Sequence, residues 1–170
     1  MNFSELANLS IERAGAALQK GELSPLELTD AYLARIEQLN PRINAYITVT
    51  AERAREDAKR ATEELAAGKV RGPLHGIPIA HKDLYETAGI RTTGGAKIHA
   101  DHVPEGDCMV AARLRAAGTI LLGKLNTHEY AYGVTTDNPH FGPTRNPWDP
   151  QRIPAGSSGG SGAAIAAGLA

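Results

Sequence analysis

Cysteine and aromatic residues are scarce in these 170 residues: one cysteine, one tryptophan, two phenylalanines, and 5% aromatic content in all. A lone cysteine, Cys108, excludes an intramolecular disulfide framework and suits a reducing compartment, so a cytoplasmic setting is expected. Charge of one sign is not in excess either. A formal net charge of -1 exerts no long-range pull on nucleic acid or an anionic membrane, and neither is expected as a direct partner. No apolar run reaches the 18 or so residues that a membrane-spanning helix needs. The N-terminus lacks a basic-then-apolar signal pattern, because Glu5 and Asn8 interrupt it. The sequons Asn2-Phe3-Ser4 and Asn8-Leu9-Ser10 therefore read as chance.

What is present is ordinary for a globular domain: 42% hydrophobic and 22% charged residues, with 18 glycines and 10 prolines marking many turns. The length suits one domain. Leu6, Leu9, Ala14 and Leu18 give residues 4–20 the apolar spacing of a short helix ending at Gly21. Ser24-Pro25-Leu26-Glu27 is a capping box with proline at the first helical position. Leu28, Tyr32, Ile36 and Leu39 continue that helix, and Asn40-Pro41 is expected to end it. Residues 45–49 read as a strand. Glu52 to Ala67 reads as a charged helix closed by Gly68, its charges a solvated face.

After Gly72-Pro73, residues 76–83 read as a turn into a buried strand that ends in Lys82 and Asp83. Residues 84–106 are loop-rich. Asp107 is expected to cap a helix to Ala117 with Val110, Ala111 and Leu114 inward, and Thr119-Ile120-Leu121-Leu122 is a second buried strand. Strand, helix and strand in that order predict a parallel pair inside an α/β sheet. Thr127 is expected to cap a short helix through Tyr132. Residues 133–155 form a loop long enough to suggest function.

Two familiar motifs fail. Gly118 to Leu125 looks like a phosphate-binding loop, but Leu125 stands where a hydroxyl is required and the middle reads as a strand. Lys124 then reads as a strand-end lysine. His128-Glu129-Tyr130-Ala131-Tyr132 has Tyr132 where a zinc-binding helix needs its second histidine. Cys108 reads as a small packed residue.

Two features remain. Lys82, taken alone, reads as a packed stem whose head reaches water or pairs with Asp83. The second is the tract Gly156-Ser157-Ser158-Gly159-Gly160-Ser161-Gly162, which runs straight into a helix of small residues. A flexible linker is one reading. The other is a functional serine loop: glycines before a helix let backbone N–H groups converge on an anion or oxyanion, and the serines could relay a proton. The adjoining helix and Asn146-Pro147-Trp148, which should pack, favour the loop.

Gly76-Ile77-Pro78-Ile79, Lys82-Asp83, Gly142 to Asp149 and Gly156 to Ser161 together resemble the amidase signature family, serine hydrolases of carboxamide bonds, and the resemblance covers nearly the whole chain. It implies an α/β fold with a mixed sheet flanked by helices. Residues 1–170 would be a single incomplete domain, with a helical lead-in over 1–68 and the start of the α/β core over 69–170. It also implies a Ser–Ser–Lys triad with no cofactor or metal. Lys82 would be the general base and Ser157 the bridging serine, held by a cis peptide after Gly156. Gly156, Ser158, Gly159, Gly160 and Ser161 would support the loop, with Ser158 and Ser161 bracing it. The nucleophilic serine would come from a later Asp-Ile-Gly-Gly-Ser type segment beyond Ala170, so the 170-residue chain alone is expected to be inactive. Ala155 departs from the family's usual glycine, which matters if that position needs φ > 0.

A lysine base must lose its proton, and an ordinary lysine with pKa near 10.4 resists this by about 4.6 kcal/mol at pH 7. Burial can supply such a shift. Asp83 would oppose it, so alternation should turn Asp83 to the other side of the strand. The implied substrate is a small-molecule amide. Hydrolysis is one outcome; a role as the A component of a tRNA-dependent amidotransferase, with partner subunits, is another; a non-catalytic gene fragment is a third. A homodimer is also open.

Overall fold

The computed structural model describes residues 5–6 and 9–170. The sequons at Asn2 and Asn8 begin outside these residues, as do parts of the first expected helix. What is described of that helix is not continuous. Glu5 and Leu6 are helical, Leu9 and Ser10 are not, and α1 runs Ile11–Gln19. Ser10 restarts it, its hydroxyl accepting the Arg13 N–H at 3.2 Å, because a serine side chain competes with helical backbone bonds and prefers the cap.

α2 (Pro25–Ile43) opens on the expected capping box: the Ser24 hydroxyl accepts the Glu27 N–H at 3.1 Å and the Glu27 carboxylate accepts the Ser24 N–H at 2.9 Å. It does not stop at Pro41. It continues to Ile43 and ends at Asn44 in the left-handed region, φ 54°. Proline forfeits one backbone bond, but two contacts hold this last turn. Ile43 is buried in the core, and the Asn40 side chain bonds both backbone groups of Tyr46, at 2.8 and 3.3 Å.

β1 (Tyr46–Val49) and α3 (Ala51–Ala66) follow. Three small residues, Ala54, Ala58 and Ala61, form the buried face of α3, and its charges face outward. β2 (Pro78–Lys82), α4 (Met109–Ala116) and β3 (Ile120–Leu125) form the predicted unit, with β2 and β3 parallel. β1 pairs with β3 on its other side, antiparallel, giving the order β1-β3-β2. The sheet is thus mixed, and its outer antiparallel strand comes from the first 68 residues. Leu28, Tyr32, Leu33 and Ile36 of α2 share a core with Ile120, Leu122 and Leu125 of β3.

Four local expectations are corrected. Trp148 does not pack but stands 86% exposed. Cys108, not Asp107, is the residue preceding α4. The Asp107 carboxylate instead accepts the Ala88 N–H at 2.7 Å and pairs with Arg115, so it fastens the preceding loop to the helix. Val110 faces out at 45% exposure, while Ala111 is buried. After β3 there is a 3-10 turn, Glu129–Ala131, in place of a capped helix. The Thr127 hydroxyl is taken by the Ser157 carbonyl at 2.9 Å, leaving nothing to cap with. The long loop over 133–155 contains a minimal ladder of β4 (Asp137–Asn138) with β5 (Gly142–Pro143). No described helix is long and apolar enough to cross a membrane.

α5 (Gly159–Ala166) closes the fold. Its start lies on the backbone at the end of β3. A Cβ on Gly160 would collide with the backbone N and O of Asn126 and come within 2.7 Å of the Ala45 carbonyl. Its C-terminal side is tied down by Arg35 Nε, which donates to the Ala167 carbonyl at 2.7 Å, and by the Tyr46 hydroxyl, which donates to the Leu169 carbonyl at 2.7 Å. Leading into it, Ala155 adopts φ 66°, so the position where the family usually has glycine does require the left-handed region.

These contacts predict opposite outcomes for neighbouring glycines. Gly160→Ala should destabilise the chain by about 1–3 kcal/mol through forced overpacking. Gly162→Ala, which meets open space, should stabilise it by up to about 1 kcal/mol through helix propensity. Ala155→Gly should also stabilise, by about 0.5–1 kcal/mol, as left-handed strain is relieved and partly offset by glycine's greater chain entropy. Urea unfolding midpoints at unchanged slope test all three.

Candidate active site

Lys82 is the last residue of β2, and the residues just past β3 lie beside it. The carboxyl ends of parallel strands are where open α/β sheets place their sites. The Lys82 ammonium donates to the Ser157 hydroxyl at 2.7 Å across 75 positions of sequence. The Gly156–Ser157 peptide is cis. Burial pulls the Lys82 pKa below the ordinary lysine value, because a charged amine loses hydration there.

Ser157 is held by its carbonyl. The Thr127 hydroxyl donates to it at 2.9 Å, the Thr136 hydroxyl at 3.3 Å and the His128 N–H at 3.0 Å. That leaves the side-chain oxygen to face Lys82. Gly156 fits because there is no room for a side chain: a Cβ would lie 2.8 Å from the Thr136 backbone N and 2.9 Å from that of Thr135. The tract is therefore a braced loop and not a linker.

Its glycine N–H groups do not converge on an empty anion site. Gly159 N–H donates to the Thr136 hydroxyl at 3.0 Å, and Gly160 N–H donates to the Asn126 carbonyl at 3.1 Å. Both are already used to fasten α5. Ser158 is exposed. Ser161 lines an apolar cavity of about 290 Å³ between β2 and α5, with Ile79, Ala80 and Ile165 among its walls. Among the described residues the bracing hydroxyls are those of Thr127, expected from the sequence as a helix cap, and Thr136, which sequence reasoning did not single out.

Lys82 does not pair with Asp83. The Asp83 carboxylate points the other way, as strand alternation expects, and accepts the Thr93 N–H at 2.9 Å and the Thr93 hydroxyl. Its second oxygen stands 3.5 Å from the Lys124 ammonium, and both side chains are fully buried. Lys124 also donates to the Tyr85 carbonyl at 2.7 Å and the Thr92 hydroxyl at 2.6 Å. A strand-end lysine in sequence is thus an interior cation in the fold. Burial lowers its pKa and Asp83 acts in the opposite direction. The signal was available: a parallel β2–β3 pair brings Asp83 and Lys124, opposite charges at the ends of two apolar strands, side by side.

The polar contacts run on from there to Ser157. The Thr93 hydroxyl accepts the Gly95 N–H at 3.0 Å. Asn138 then donates to the carbonyls of Gly95, at 2.7 Å, and Thr127, at 3.0 Å. The segment after β2, the minimal ladder and the segment after β3 are thereby joined under one loop.

Among solved structures, peptide amidase from Stenotrophomonas maltophilia superposes with a TM-score of 0.91 at 37% identity, over 99% of this chain and 36% of that one. A structure described as an unexpected vestigial protein complex revealing the origins of an s-triazine catabolic enzyme matches with a TM-score of 0.91 at 43% identity, over 95% and 35%. Among curated relatives, the A component of the glutamyl-tRNA(Gln) amidotransferase of Roseiflexus sp. (strain RS-1) is 48% identical over 165 residues, 97% of this chain and 34% of that protein. The chain spans about a third of the length of these relatives. A family model described as Amidase matches residues 27–170, and the chain belongs to the amidase family.

Proposed function

We propose that Lys82 and Ser157 are the general base and the bridging proton carrier of an enzyme that hydrolyses carboxamides, with the nucleophilic serine supplied by a segment outside these 170 residues. The observation that carries this is the 2.7 Å contact between Lys82 Nζ and Ser157 Oγ, made by a lysine whose ammonium is disfavoured by burial. A serine hydroxyl is a weak nucleophile until its proton is removed.

In acylation, Ser157 takes the nucleophile's proton while passing its own to the neutral Lys82 amine, and the nucleophile's oxygen bonds to the carbonyl carbon. The proton returns through Ser157 to the leaving nitrogen as the C–N bond breaks. Water then repeats the first step against the ester, releasing the carboxylate and the free serine. The lysine must be neutral to begin.

A second reading concerns the fate of the ammonia. The 48% identity to the A component of a glutamyl-tRNA(Gln) amidotransferase supports release of ammonia from glutamine within a complex of partner proteins. Glutaminase activity and co-purification of other components favour this reading; turnover of simple amides by a lone chain favours hydrolysis.

In a chain extended to include the nucleophilic serine, Lys82→Ala and Ser157→Ala should each lower kcat/KM by about 10²- to 10⁴-fold, read as ammonia release. The 170-residue chain alone should release none. Since only the deprotonated amine accepts a proton, kcat/KM should climb as pH rises through the Lys82 pKa. Burial depresses that pKa, so the climb should lie below the ordinary lysine value of about 10.4. A pH-independent kcat/KM would remove Lys82 from the role of base.

A further inference from the structure

A carboxylate immediately follows the lysine that has to be neutral. Asp83 is fully buried, and so is the Lys124 ammonium 3.5 Å away. Lys124 is among the largest fully buried side chains of the described residues. It occupies the strand position opposite His81, one residue before the partner of Lys82, in the parallel β2–β3 ladder. Buried charges of this kind need a partner, and one left alone is strongly unfavourable. None of the steps described for Lys82 and Ser157 uses either residue.

We propose that Lys124 is a positioning residue for the Lys82–Ser157 pair: its ammonium neutralises Asp83 and pins the 85–93 segment, shielding Lys82 from the carboxylate next to it in sequence. This inference rests on the reading of Lys82 as a base. Lys124 reaches three places at once: Asp83 just past β2, the Tyr85 carbonyl and the Thr92 hydroxyl. Asp83 in turn orders Thr93, and the contacts through Gly95, Asn138 and Thr127 end on the Ser157 carbonyl.

Asp83 is the carboxylate next to Lys82 in sequence, and in the fold its charge faces Lys124. Facing Lys124 are Asp83 at the end of β2, His81 from β2, Glu86 from the following segment and Cys108 at the start of α4. His81 is pushed down to about 4, first by burial and then by Lys124 itself, so it is neutral when lysines titrate. On the Lys82 side, the segment from Ile153 to Ala170 contains no charged or histidine side chain. The buried face of α2 is apolar apart from Thr29 and Tyr32. The His128 imidazole, on the segment after β3, is engaged by the Thr135 hydroxyl at 3.2 Å. Removing the Lys124 charge therefore exposes Lys82 to an uncompensated Asp83.

The test is a titration of Lys82 in the intact protein by NMR of 15N-labelled lysine side chains, with Lys82→Met identifying the resonance. In Lys124→Met the Lys82 midpoint should rise by about one pH unit, the order expected for one nearby charge in a protein interior. In the double variant Asp83→Asn with Lys124→Met it should return to the wild-type value. In Asp83→Asn alone, the uncompensated Lys124 ammonium should push it below wild type. Equal midpoints in Lys124→Met and the double variant would overturn the proposal. If Lys124→Met fails to fold, Asp83→Asn against the double variant decides, and equal midpoints there overturn it too. The titration needs no turnover. Loss of the base reading shows up separately, as amidase activity that survives Lys82→Ala while the midpoints still move.

Discussion

The first turn of α5 rests on bare backbone at the carboxyl end of β3, and this contact fixes everything at the site. Gly160 touches Asn126 and Ala45 where a side chain would collide, and its N–H is spent on the Asn126 carbonyl. Once the helix start is pinned there, Ser157 has little freedom. Its carbonyl meets Thr127 and His128 on the same segment that follows β3. Its hydroxyl meets Lys82 on the neighbouring strand. Strand ends place the two halves of the site, and glycine permits the approach.

The same contact explains why the tract is held in place in spite of its composition. A Gly/Ser run in solvent is a flexible chain. Here the N–H groups of Gly159 and Gly160 both find acceptors, one a threonine hydroxyl and one a carbonyl. The groups that composition suggested for an anion serve as fastenings. Any oxyanion-stabilising donors of the proposed reaction must therefore come from elsewhere than these two positions.

The large features were legible in the sequence because they follow from short-range rules. The capping box before Leu28, the strand–helix–strand order and the apolar strand ending in Lys82 each rest on periodicity or a local cap. What was not legible depended on tertiary competition for a single group. Thr127 and Asp107 look like helix caps, yet each is claimed by a partner distant in sequence, Ser157 and Ala88 respectively. Pro41 looks like a stop, yet Asn40 and Ile43 hold the helix past it. Lys124 reads as a strand-end lysine; the strand pairing offers Asp83 as its neighbour, but nothing in the sequence marks the 85–93 segment folding over it. In the candidate site, the family resemblance named Lys82 and Ser157, which the structure brings into contact; the bracing of Ser157 by threonines was not legible, since hydroxyl residues in loops are common and rarely diagnostic.

The arrangement also resolves a conflict built into the sequence. A lysine in the proposed role of base needs a dry, uncharged setting, yet Lys82 is followed directly by an aspartate. In a strand, consecutive side chains leave on opposite faces, which separates the two but does not cancel a buried charge. Cancellation requires a cation on the far face, and β3 supplies one in Lys124, next to the residue paired with Lys82. A lone buried carboxylate would have been unfavourable for folding, and its field would have favoured the ammonium form of Lys82. Parallel pairing brings the ends of β2 and β3 together, so one ion pair satisfies two buried charges of the sheet and, in the proposed reaction, also keeps the Asp83 field from Lys82.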